Sequence, residues 1–251
     1  SQADVEMVMF NIGDVHDVNA DQTTAFTTIF WNQFNAQRGY NSFNLALAQY
    51  LEKALDDNGK FQEFKEYVKS KGYDWERNIS RFAAGRLDLA LQMAKEVDPT
   101  LSTDVIRTRI LNNEVNVSVE AFAAEMKEFI ENKHNRNFRI LFFVDEVSQF
   151  IGEHRDLLLQ LQSLVKRLDE VCESRCWIAC TAQQTLEEVV TNVGGNASNP
   201  EDEVGKILGR FEVRASLQGT STEYITQKRI LEKKGDVEIT LGNMFDKDKA
   251  K

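Results

Sequence analysis

Five consecutive apolar residues, 140–144, constrain the fold of this chain more than any other part of its sequence. An apolar run without alternation is typical of a strand that is buried on both faces, as in a parallel sheet. Further apolar runs lie at 5–12 and at 176–181. Parallel strands need long crossover connections, and helical patterns lie between these runs, so the sequence predicts an α/β fold.

The spacing of apolar residues divides the chain into four predicted segments. Residues 1–18 hold the first strand of the predicted core. Residues 19–135 follow the helical period over a length far greater than a crossover needs, which predicts a helical insertion or subdomain. Residues 136–219 carry three more strands, and residues 220–251 open with a capping pattern for another helix.

Composition and charge argue against a broad nucleic-acid-binding surface, a disulfide-stabilised fold and a membrane span. The chain has 251 residues, of which 40 are acidic and 30 basic, giving a net charge of −10. Such a surface repels phosphate backbones, so any contact with nucleic acid has to be local or made by partners. The 3 cysteines form no closed disulfide framework, which suits a reducing compartment. With no apolar run of ~18 residues, we expect a cytoplasmic protein without membrane contact.

Two acids, Asp145 and Glu146, directly follow the strongest strand pattern. Parallel sheets bind ligands beyond the carboxyl ends of their strands, so both carboxylates lie where chemistry is expected. Asp145 can hold a hydrated Mg²⁺ that bridges the β- and γ-phosphates of a nucleotide. Glu146 can orient and polarise an attacking water. Alternatively, the two acids only cap and charge-complement the following helix.

Other polar residues lie at later strand boundaries. Thr181 and Gln183 can contact a γ-phosphate or the attacking water, or they can bond the neighbouring turn. Which of the two points inward depends on the last residue of the strand. Arg210 precedes the fourth predicted strand and can stabilise charge on a neighbouring subunit's nucleotide. For Arg214 we favour a simpler role, which is to offset a helix dipole.

The loop that cradles a triphosphate, Gly-x-x-x-x-Gly-Lys-Ser/Thr, is missing from these residues. The Gly-Lys pairs at 59–60 and 205–206 are followed by Phe61 and Ile207, and neither pair has the required preceding strand and glycine. Nucleotide phosphates therefore lack their usual backbone cradle within this sequence.

Three segments together resemble the large P-loop ATPase of BREX phage-defence systems, the BrxC/PglY type. They are 140–152 (ILFFVDEVSQFIG), 177–184 and 207–217 (ILGRFEVRASL). The resemblance runs over the whole chain, including 10–14, and is most specific over 145–152. That family is similar to AAA+/STAND ATPases. The resemblance therefore implies a parallel-sheet P-loop NTPase core with a large helical insertion, incomplete at its N-terminus.

The resemblance also implies a role for each candidate residue. Asp145 and Glu146 match the Walker B acids, with Asp145 as the Mg²⁺ ligand and Glu146 as the catalytic acid. Thr181 or Gln183 matches the sensor-1 position. Arg210 matches the arginine finger, which would make it catalytic in an oligomer.

By the same resemblance, the whole protein binds and hydrolyses ATP with Mg²⁺ as a motor or switch subunit of a BREX bacteriophage-defence complex. The expected partners are other BREX defence proteins including the methyltransferase, further copies of the chain, and DNA through the complex. Residues 220–251 would begin a helical lid.

The missing loop departs from the family pattern. It predicts that the chain is an internal piece of a longer protein and is inactive by itself. It also predicts an exposed sheet edge or cleft where the phosphate-loop strand belongs, beside the Walker B strand and the last strand. Two alternatives stay open. One is an interaction module with a degenerate NTPase fold, and the other is an unrelated α/β scaffold in which Asp145 and Glu146 cap a helix.

Overall fold

A three-stranded parallel sheet forms the centre of the described structure. The computed structural model describes residues 3–15, 22–152, 154–182 and Val213. The strands are β1 (Asp4–Asn11), β2 (Phe138–Asp145) and β3 (Cys176–Cys180), in the order β1-β2-β3. This sheet and its many helices confirm the predicted α/β class and the parallel pairing.

Helices form most of the remaining described chain. In chain order they are α1 (Ile12–Val15), α2 (Ala25–Gln37), α3 (Leu45–Leu47), α4 (Lys53–Asp57), α5 (Phe61–Ser70), α6 (Trp75–Gly85), α7 (Leu87–Val97), α8 (Thr103–Leu111), α9 (Val119–Asn132), α10 (Val147–Ile151) and α11 (Arg155–Cys172). A 3-10 turn (Gln22–Thr24) precedes α2, and a π-helical segment (Ala48–Glu52) joins α3 to α4. None of the helices in the described ranges meets the length and hydropathy of a membrane span.

Strand β2 is paired on both of its sides. Its register aligns Asp145 with Asn11 of β1 and Val144 with Cys180 of β3. The expectation that a phosphate-loop strand lies beside the β2 strand is therefore wrong, because both edges of β2 are occupied. Among the described residues, the outer edges of β1 and β3 are the ones without a neighbouring strand.

Helices α2, α9 and α11 pack against one face of the sheet. Phe142 of β2 is fully buried there, with its ring centroid 5.0 Å from that of Phe30 and 6.1 Å from that of Phe122. Phe10 of β1 meets Phe30 edge-on at 5.5 Å. All crossovers lie on one face because the strand order is sequential, and right-handed connections then fall on the same side.

The other side of the sheet, here called the open face, consists of Met7, Met9, Leu141, Phe143, Trp177 and Ala179. Met9 is 65% exposed and Trp177 46%, while Leu141 and Phe143 are half-buried. The expectation that the run 140–144 is buried on both faces is therefore wrong for the described structure. Its alternate residues differ in burial because helices cover only one face.

The helical stretch between β1 and β2 contains a core of its own. Between Tyr40 and Ile110, side chains from the π-segment and from α3 to α8 form one buried cluster. Within it, the Trp75 ring stacks on Phe82 at 5.1 Å and meets Phe64 edge-on at 4.8 Å. Helices α2 and α9, at the ends of the stretch, connect it to the sheet.

One carboxylate is buried inside this helical core. Glu52, at the end of the π-segment, is fully buried and accepts hydrogen bonds from the backbone N–H of Asn41 (2.6 Å) and from Nε1 of Trp75 (2.7 Å). Burial raises the pKa of Glu52 from 4.5 to about 7, although these two hydrogen bonds oppose the rise.

Several predicted elements lie outside the described residues. They are the fourth strand over 211–217, apart from Val213, and the segment 220–251 that was expected to begin a lid.

The two faces of β2 predict different costs for neighbouring substitutions. Phe142→Ala removes a fully buried ring and should lower the free energy of unfolding by about 3–5 kcal/mol. Phe143→Ala removes a half-buried ring from the open face and should cost only about 1–2 kcal/mol. Chemical denaturation of both variants measures the difference, and equal losses would contradict the one-sided packing.

Glu52 predicts a pH dependence of stability. Its folded pKa lies above its ordinary value, so between about pH 4.5 and pH 7 the folded chain holds a proton that the unfolded chain has released. The free energy of unfolding should therefore fall as pH rises through this range, by on the order of 3 kcal/mol.

Denaturation of the wild type and of Glu52→Gln, at about pH 5 and about pH 8, tests this dependence. The variant should lose most of it, whereas a Glu120→Gln control at an exposed acid should keep the wild-type slope. An unchanged slope in Glu52→Gln would show that other groups cause it.

Candidate functional site

The carboxyl ends of all three described strands meet at one edge of the sheet. Asn11 ends β1 and is paired with Asp145, which ends β2. Thr181 directly follows β3. Since parallel strands bring their carboxyl ends together, residues far apart in the sequence form one polar group at this edge.

Asp145 is held by hydrogen bonds but remains exposed. The Thr181 hydroxyl donates to Oδ1 of Asp145, and the backbone N–H of Glu146 lies 3.1 Å from the same oxygen. Thr181 is itself fixed, because its N–H donates to the carbonyl of Val144 (2.9 Å) and its carbonyl accepts from Val147 (3.1 Å). The carboxylate of Asp145 is therefore oriented at the strand end while still open to a ligand.

Glu146 adopts a left-handed backbone conformation, with φ 60° and ψ 32°. A residue other than glycine rarely adopts this conformation, and such residues occur often at functional sites. Glu146 stands at the N-cap of α10, yet its side chain makes no capping hydrogen bond to that helix. Instead, its Oε2 accepts a hydrogen bond of 2.8 Å from Nδ2 of Asn11. The carboxylate is thus turned toward β1.

Asn11 is the site residue that sequence reasoning missed. Its Oδ1 accepts a hydrogen bond from the N–H of Gly13 (2.9 Å), which leaves Nδ2 directed at Glu146. The signal in the sequence was an amide at a strand end, two residues before a glycine, in the same place as Asp145 on its own strand. Its role became visible only once β1 and β2 were paired in register.

The predicted site residues divide into two groups. Asp145, Glu146 and Thr181 come together at the sheet edge, and Thr181 contacts the carboxylate of Asp145 directly. Gln183 and Arg210 lie outside the described residues, so their predicted sensor and arginine-finger roles stay predictions.

Asp145 presents an exposed carboxylate, which is the kind of group that holds Mg²⁺ together with waters. The described ranges contain no group of three His, Cys, Asp or Glu residues that could hold a metal ion.

The edge is chemically suited to a cation and to water. It presents two carboxylates, one held by a hydroxyl and the other by an amide. A carboxylate held in this way can bind a cation with little loss of side-chain entropy.

The left-handed conformation of Glu146 predicts how stability responds to substitution. Both Glu146→Gly and Glu146→Ala lose the hydrogen bond from Asn11, but only glycine adopts a positive φ without steric cost. The glycine variant should therefore be more stable than the alanine variant by about 1 kcal/mol. At Glu128, inside α9, the alanine variant should instead be more stable than the glycine variant. Thermal unfolding measures both pairs, and a more stable Glu146→Ala would contradict the conformation.

Neither a protein-family model nor a solved structure matches this chain. The evidence on its function comes from the residues at the sheet edge and from the sequence.

Proposed function

We propose that this chain is the Walker B half of an ATP-hydrolysing P-loop NTPase, of the AAA+/STAND-like kind found in BREX defence complexes. The observation that carries the proposal is the arrangement of Asp145 and Glu146 at the carboxyl end of the central described strand. One acid is held in place by Thr181 and the other by Asn11. The resemblance of 140–152 to the BREX ATPase supports the same assignment.

The residues present fit Mg²⁺ with nucleotide phosphates. Mg²⁺ is usually held by one or two carboxylates together with waters and substrate phosphates, rather than by a cage of protein ligands. Asp145 offers one such carboxylate at the exposed edge. When bound together with ATP, Mg²⁺ would neutralise negative charge on the β- and γ-phosphates. The hydroxyl of Thr181 holds one oxygen of the Asp145 carboxylate in place.

Glu146 is proposed to orient the attacking water. Its carboxylate has one oxygen, Oε2, engaged by the Asn11 amide, which fixes the direction of the group. A carboxylate that is already oriented needs no reorganisation to accept a hydrogen bond from water. Asn11 is therefore a positioning residue for Glu146.

The phosphate cradle is not encoded in these 251 residues, which lack the Gly-x-x-x-x-Gly-Lys-Ser/Thr pattern. The proposal accordingly takes hydrolysis to be a property of the whole protein, with ATP and Mg²⁺ bound there and Arg210 acting between copies. Other defence proteins, including the methyltransferase, are the proposed partners, and DNA is proposed to be reached through the complex.

A second candidate function is an interaction module with a degenerate NTPase fold. The open face favours it, because an uncovered apolar surface on a sheet is typical of a surface that binds another polypeptide. In this case Asp145 and Glu146 would hold the strand ends together without turnover.

Substitution of Glu146 separates the two functions. In the whole protein, Glu146→Gln should leave Mg-ATP binding intact and lower ATP turnover by about 100-fold or more, because the oriented base is lost. Glu173→Gln is a control matched in backbone conformation, since Glu173 also has a positive φ (53°) but lies at the C-cap of α11. Calorimetry measures binding and phosphate release measures turnover.

Equal turnover in Glu146→Gln and wild type would remove the catalytic role of Glu146. Calorimetry of this chain beside one extended upstream through the phosphate loop completes the test. Mg-ATP binding by the extended chain alone would support the Walker B assignment. Absence of binding in both would favour the interaction module.

A further inference from the structure

The open face is a parallel-sheet surface without a covering layer in the described structure. Parallel sheets are almost always covered on both faces. The face nevertheless leaves Met9 65% exposed, Met7 44% and Trp177 46%. An apolar surface of this kind is a typical binding surface for another polypeptide.

Two opposite charges stand at the two ends of the open face on β2. Arg139 lies at the amino end and Asp145 at the carboxyl end, on the same side of the strand as Leu141 and Phe143. The guanidinium of Arg139 donates to the backbone carbonyls of Arg136 (2.8 Å) and Phe138 (2.9 Å). Neither Arg139 nor Asp145 forms an ion pair with another described residue, so both charges are available to a partner.

We propose that the open face binds the open face of a second copy, with the strands of the two copies antiparallel. The two-fold axis lies between the two faces, runs across the strands and passes the level of Phe142. It places Arg139 of each copy opposite Asp145 of the other. The same operation places Leu141 opposite Phe143. The two charges lie symmetrically about that axis, so one rotation satisfies both pairs at once.

Side-chain sizes on the outer strands agree with this arrangement. Leu141 is level with Trp177, and Phe143 is level with Ala179. The two-fold axis therefore brings the large Trp177 of one copy over the small Ala179 of the other. Facing sheets pack best when large and small side chains alternate.

The expected dimer is weak. Three strands spaced ~4.8 Å apart offer a narrow surface, well below the ~800 Å² that each partner buries in a standard stable interface. We expect a dimer in reversible, concentration-dependent equilibrium with the monomer. Association is measured without nucleotide, so its outcome is separate from the outcome of the ATP turnover test.

Sedimentation equilibrium of the full chain, from micromolar to millimolar concentration, tests the charge pairing. Arg139→Glu and Asp145→Lys should each weaken dimerisation by about tenfold or more, because each places like charges opposite each other. The double variant exchanges the two charges and should restore most of the wild-type affinity. Circular dichroism checks that each variant is folded.

Matched substitutions of exposed apolar residues test the surface itself. Met9→Lys should abolish the dimer, whereas Phe43→Lys, at a residue that is 87% exposed elsewhere, should leave it unchanged. A dimer that survives Met9→Lys, or charge variants without rescue, would overturn the proposal.

A chain that is monomeric at every concentration would also overturn it, and peroxide oxidation of Met7 and Met9 then identifies the alternative. Protection of both methionines would assign the open face to another segment of the same chain. Rapid oxidation of both would show that the open face is uncovered in the monomer, which would assign it to a partner other than a second copy.

Discussion

The parallel pairing of β1 with β2 is the constraint on which the rest of the described structure depends. A parallel pair cannot be closed by a tight turn, so the chain between Asn11 and Phe138 has to pass over the sheet. That passage contains the helical core around Trp75 and ends in α9, which packs on β2. The same pairing brings Asn11 beside Asp145, and a polar site forms where the strands end.

The sequence predicted the parts of this structure that local patterns encode. The apolar run 140–144 indicated β2, and the position of Asp145 after it indicated the sheet edge. The partnership of Asn11 with Glu146 could not be predicted, because the register between strands separated by a long insertion has no local signal. Nor does an apolar run distinguish burial on one face from burial on two, since the covering layer is decided by topology. The positive φ of Glu146 has no signal either, as glutamate is not a residue type that favours it.

The candidate site and the open face are parts of one surface. Asn11, Asp145 and Thr181 have the same side-chain direction as Met9, Phe143 and Ala179, two residues earlier on each strand. Whatever covers the apolar residues therefore ends beside the carboxylate of Asp145. Occupancy of the face and access to the site are physically linked, whichever of the two proposed functions holds.

The separation of β1 from β2 along the chain also bears on the order of folding. Closing so long a loop costs entropy before any strand contact is gained, and contacts distant in sequence slow folding. The helical core between the strands consists of contacts that are much closer in sequence. We expect this core to form early and to draw α2 and α9 together. It would thereby shorten the effective distance that β1 and β2 must cross, so that the sheet assembles last.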